Sequence, residues 1–133
     1  MIGLDTNVLV RYIVRDDAHQ AAAATRFLEG TLGAQHPGFI DNIVLCELFW
    51  VLESGYGYTR ADITATLQRL LEVDRFRFEA PELAWQALDA CRNGADFADA
   101  LLARINEVAG CDYTATFDQR AATRIEPMRL LTR

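Results

Sequence analysis

Short β-prone runs alternate with helical stretches along the whole chain, and three of those runs end on an acid. Residues 2–4 run into Asp5, Phe39-Ile40 runs into Asp41-Asn42, and residues 113–117 run into Asp118. Short apolar runs read as strands covered on both faces, so residues 2–4 are expected to form a buried strand. Asp, Thr and Asn favour the turns and helix N-caps that follow strands. Strands alternating with helices imply an α/β fold, with a mostly parallel sheet of four or five strands and helices on both faces. Ligands bind such sheets outside the carboxyl ends of the strands. Asp5 is therefore a candidate for chemistry; the alternative is that it only caps the following helix.

The helices follow from spacing and stop signals. A short helix is expected over residues 8–14. Asp16-Asp17 opens another that runs through the alanine-rich residues 21–24 to Glu29, with Gly30 as its stop. Residues 33–38 are loop. A strongly apolar helix covers residues 43–54, closed by Gly55. Thr59 caps the next, with Asp62 three residues on as a capping box. Ile63, Leu67, Leu70 and Leu71 form its apolar face. Residues 75–79 alternate as a strand, and Pro81 fits the first position of a helix that runs to Gly94. Further helices are expected over 96–109 and 119–123, and a last strand over 128–131.

At 133 residues the chain is expected to be a single domain, residues 1–133, with one core. No apolar stretch is long enough to span a bilayer. The start lacks the features of a signal peptide, so a cytoplasmic location is expected. The three cysteines, Cys46, Cys91 and Cys111, match no zinc or redox spacing and are expected to be buried and inert. His19 and His36 have no ligand-spaced neighbour and receive no role. The net charge of −6 argues against a passive nucleic-acid-binding module. It leaves room for an enzyme whose acidic site holds cations. All 13 basic residues are arginine.

Glu47 shares a helix face with Val44 and Val51, where a carboxylate is costly to bury unless paired; otherwise it points to solvent. Asp96 and Asp99 share the first turn of their helix. Asp96 has a sufficient explanation as an N-cap, whereas Asp99 leads the Leu101-Leu102 core stripe and is placed nearer the sheet. Asp118 repeats the position of Asp5 at a strand end. Asp5, Glu47, Asp99 and Asp118 are thus expected to line one pocket. Clustered carboxylates raise one another's pKa unless cations hold them, and oxygen-only ligand sets suit Mg²⁺ or Mn²⁺. Such ions activate water for phosphoryl displacement without help from His, Cys or Lys.

Four segments in order carry a resemblance: Leu4-Asp5-Thr6-Asn7, Glu47-Leu48, Asp99-Ala100-Leu101-Leu102-Ala103 and Thr116-Phe117-Asp118. Together they resemble PIN-domain nucleases, and specifically the VapC-type toxins of bacterial toxin–antitoxin pairs. The resemblance implies a PIN-like three-layer sandwich and a Mg²⁺- or Mn²⁺-dependent endoribonuclease. It implies a cognate antitoxin protein as partner, an RNA substrate, no membrane, and a homodimer or toxin–antitoxin hetero-oligomer. It makes Asp5, Glu47 and Asp99 the core catalytic and metal-holding acids, Asp118 the fourth, and Thr6 and Thr116 supporting groups. Asp96 falls outside its core pattern. Arg11, Arg15 and Arg104 follow these segments and are candidates for RNA contacts, or are ordinary solvated arginines.

Two other readings fit parts of the pattern. A Mg²⁺-dependent phosphoacceptor or phosphatase domain also places acids at strand ends. Those families also use a lysine, which this chain lacks, and Asp5-Thr6-Asn7 lacks the second acid of the phosphatase motif. A non-catalytic interaction module would use every acid as a cap.

Overall fold

The computed structural model describes residues 1–132, with seven α-helices and five strands in alternation. Every strand pair is parallel, as the alternation predicts. The chain divides into two compact units, Met1–Pro81 and Glu82–Arg133. Among the described residues no helix is long and apolar enough to cross a membrane.

The first unit holds β1 (Ile2–Gly3), α1 (Thr6–Val14), α2 (Ala18–Thr25), β2 (Gly38–Ile40), α3 (Asn42–Trp50), α4 (Arg60–Leu71) and β3 (Phe76–Phe78). Its strands pair in the order β1-β2-β3, with β2 in the centre. Ile2 and Gly3 are exposed, so the expectation of a buried first strand holds only for Leu4, which is 6% exposed. Edge position does not decide this, since Phe76 in β3 also has one strand neighbour and is 3% exposed; what packs over each strand does. A Cβ on Gly38 would stand 2.8 Å from side-chain atoms of both Leu4 and Leu32, so close packing over the central strand requires glycine. Leu9, Leu28, Ile40, Leu48, Leu52 and Ile63 are fully buried and form the core of this unit. Each contributes about 1.5–3 kcal/mol by leaving water.

Two helices run on with a change of winding. After α2 the backbone passes into a π-helical segment, Arg26–Thr31, which ends only where Leu32 turns extended and donates to the Phe27 carbonyl at 3.1 Å. Gly30 therefore lies inside a helical turn and does not stop it. α3 continues as a π-helical segment, Val51–Gly55, so helical backbone covers the expected residues 43–54 with a change only of winding. Thr59 caps α4 by accepting the Asp62 N–H at 3.1 Å.

The second unit holds α6 (Phe97–Val108), β4 (Thr114–Thr116), α7 (Gln119–Arg124) and β5 (Met128–Leu130), preceded by α5 (Pro81–Arg92). β4 pairs with β5, Thr114 opposite Met128 and Thr116 opposite Leu130. Leu88, Phe97, Leu101, Ala121 and Met128 are buried. Leu102 is 45% exposed, so only Leu101 belongs to the stripe expected on α6. Successive positions on a helix face different sides, and Leu102 falls on the turn with Asp99. Among the cysteines Cys91 is buried, Cys46 half-buried and Cys111 exposed, which corrects the expectation for Cys111.

Candidate active site

In the first unit the N-cap acids separate by what they reach. Asp17 accepts the Gln20 N–H at 3.0 Å and Asp41 the Val44 N–H at 2.8 Å, the ordinary reach of a cap into the first turn. Asp5 instead accepts the N–H of the adjacent Thr6 at 2.8 Å. Thr6 is buried, and its hydroxyl donates to Glu47 Oε1 at 2.8 Å. Glu47 itself is exposed on α3. Its carboxylate is thus neither stranded in the core nor turned away from α1. One threonine holds Asp5 through its backbone and Glu47 through its side chain.

In the second unit Asp96 is the N-cap of α6 and accepts the Asp99 N–H at 3.0 Å. Asp118 caps α7 and accepts the Ala121 N–H at 3.0 Å. The hydroxyl of Thr116 accepts the Asp118 N–H at 3.0 Å, fixing the turn between β4 and α7. Asp99 is half-buried, and its carboxyl is raised above the ordinary value, first by burial, then by the charges of Asp96 and Asp118. Repulsion among carboxylates, expected from the sequence, is thus present at Asp99, and Asp96 contributes to it although its own hydrogen bond is that of a cap.

The candidate arginines are engaged within the protein. Arg11 donates to Gln20, Asp16 and Tyr56, Arg15 to Thr25, and Arg104 to Glu107 and the Glu126 carbonyl. The Tyr56–Asp16 bond, 2.8 Å, closes a network around Arg11 that no local sequence signal announces, because its members are 40 residues apart. Glu79, beyond the end of β3, accepts the Asn42 N–H at the start of α3, at 3.0 Å, a second link that no local sequence signal announces.

The donor set is all oxygen: carboxylates with threonine hydroxyls beside them, and no histidine or thiol among them. That chemistry fits a hard divalent cation, and the raised Asp99 carboxyl marks a place where positive charge would relieve repulsion. As they stand, no three His, Cys, Asp or Glu side chains among the described residues are gathered closely enough to hold an ion.

A family model described as the PIN domain matches residues 2–126. The chain belongs to the PIN domain family. No curated protein matches it. PIN domains are generally metal-dependent nucleases, so membership gives these acids a chemical context that caps alone would not need. The PIN match runs through both units and spans all four acidic segments read from the sequence.

Proposed function

We propose that this PIN domain is a Mg²⁺- or Mn²⁺-dependent endoribonuclease that acts as the toxin of a toxin–antitoxin pair. The observation that carries the nuclease reading is the Thr6–Glu47 hydrogen bond, which ties an acid on α3 to the residue that also anchors Asp5. A module whose acids were only caps has no use for such a link. The toxin reading is supported by the likeness of the four acidic segments to VapC-type toxins. On it the protein works in the cytoplasm, is held by a cognate antitoxin, and assembles as a homodimer or with that partner.

In this proposal Asp5 and Glu47 in the first unit, and Asp99 and Asp118 in the second, are the ion-holding groups. Thr6 keeps Glu47 in one orientation, and Thr116 fixes the backbone from which Asp118 projects. Asp96 holds the start of α6 and so the position of Asp99. A divalent ion bound there would supply charge stabilisation at the phosphate and acidify the attacking water.

The test is cleavage of RNA by the purified protein in Mn²⁺ and in EDTA, with Asp5→Asn as the control. Cleavage only with metal, lost in the variant, is expected; metal-independent cleavage, or full activity in Asp5→Asn, would remove the reading. For the toxin role, induced expression should arrest growth with new RNA ends in the cell. Coexpression of the neighbouring open reading frame should relieve the arrest.

A further inference from the structure

An acidic nuclease has to find affinity for a polyanion. This chain carries 19 acids against 13 arginines. Four of the arginines are already paired with carboxylates, Arg11 with Asp16, Arg60 with Glu53, Arg92 with Asp89 and Arg104 with Glu107. Contacts from cations to phosphate supply most nonspecific nucleic-acid affinity, and here acids outnumber the arginines and neutralise four of them. The other general source is stacking of unpaired bases on aromatic side chains, which needs no charge.

The exposed aromatic side chains sort themselves. Trp50 is 66% exposed, Phe117 71%, Tyr113 39% and Tyr56 36%. Tyr56 has its hydroxyl held by Arg11 and Asp16, and the ring of Tyr113 lies 4.4 Å under the Arg129 guanidinium. No cation or ring covers Trp50 or Phe117 among the described residues. Each adjoins an acid of its own unit. Trp50 ends α3 three residues after Glu47, and residues at that spacing lie on one face with Cβ atoms about 5–6 Å apart. Ile43, 71% exposed, stands four residues before Glu47 on the same face. Phe117 directly precedes Asp118.

We propose that Trp50 is a stacking platform for an unpaired base of the RNA substrate, positioning the adjoining phosphate beside Glu47. This rests on the nuclease reading. A purely apolar partner seated on the Ile43–Trp50 face would strip water from the Glu47 carboxylate and leave it only the Thr6 hydroxyl among the described residues. A nucleotide suits the face better, because its base covers the indole and its phosphate, with a cation, meets the acid.

The experiment pairs binding with kinetics. Tryptophan emission is followed as a short single-stranded oligoribonucleotide is added with Ca²⁺ in place of the catalytic ion, and its cleavage is measured in Mn²⁺. Wild-type emission should be quenched, and the quench should vanish in Trp50→Phe, which leaves Trp85 as reporter. Trp50→Ala should raise KM about tenfold with kcat little changed, the scale expected for one lost base stack. Trp50→Phe should recover most of that loss, and the wild-type KM should depend only weakly on salt. An unchanged KM in Trp50→Ala, or a quench that persists in Trp50→Phe, overturns the proposal. So does a Trp50→Ala variant whose only change is in sedimentation, which would assign the face to a second copy of the chain. If wild type cleaves no RNA, the nuclease reading fails by itself, and presence or absence of the Trp50-dependent quench decides the platform.

Discussion

The hydroxyl of Thr6 donates to Glu47 Oε1 at 2.8 Å, joining two residues 41 positions apart in the sequence. The donor is buried and the acceptor is exposed, so the bond orients a carboxylate that water would otherwise leave mobile. Thr6→Val keeps the shape and the burial but removes the donor. Because Glu47 remains hydrated, stability should fall by about 1 kcal/mol or less. RNA cleavage should fall about tenfold or more, and Thr6→Ser should restore it. Thermal melts and cleavage rates of the two variants check this; equal activity in Thr6→Val and wild type would leave the bond without a functional part.

Asp99 should matter for cleavage more than Asp96. Asp96→Ser retains a hydroxyl cap for the Asp99 N–H and should keep most activity, while Asp96→Ala should lose about 1 kcal/mol of stability. Asp99→Ser should abolish cleavage with the helix intact. The reverse pattern in a cleavage assay would exchange the two roles.

The raised carboxyl of Asp99 has a pH signature. Folding makes its ionisation harder, so without metal the charged group weakens the fold at pH above its native value. The penalty disappears as pH falls below the unfolded value of about 3.9, where both states hold the proton. In EDTA at neutral pH, Asp99→Asn should melt higher than wild type, and the two melting curves should converge below about pH 4. A constant offset at every pH would assign the gain to packing.

Asp5→Asn can still accept the Thr6 N–H, so the variant should fold and melt in EDTA at the wild-type temperature or above. In millimolar Mn²⁺ the order should reverse, because wild type gains ligand-linked stability that the variant has lost. Retention of both the Mn²⁺-induced shift and cleavage would end the role assigned to Asp5.

Local signals in the chain translated well into local structure. The strand-end positions of Asp5, Asp41 and Asp118, the caps at Asp96 and Thr59, and the parallel pairing all follow from short-range chemistry. What was not legible depended on distant partners or on small differences in backbone winding. Gly30 reads as a stop, yet the i→i+5 turn carries past it, because one extra residue per turn leaves no mark on composition. The exposure of Ile2 depends on what packs over β1, and that of Leu102 on the rotation of α6, neither of which periodicity over a few residues fixes. The acids were identifiable as candidates, but the Thr6 link to Glu47 was not, since nothing local to either residue names the other.

Asp118 is both the N-cap of α7 and a source of charge on Asp99, and that double duty restricts how the position can drift. Asparagine or serine would preserve the start of α7 and discard the charge. Glutamate would preserve the charge, but its longer arm is a poorer fit to the Ala121 N–H. Aspartate alone meets both demands with one side chain. A descendant of this chain that had given up its chemistry but kept its shape would therefore be expected to show asparagine or serine here, and the substitution would serve as a scar of lost activity.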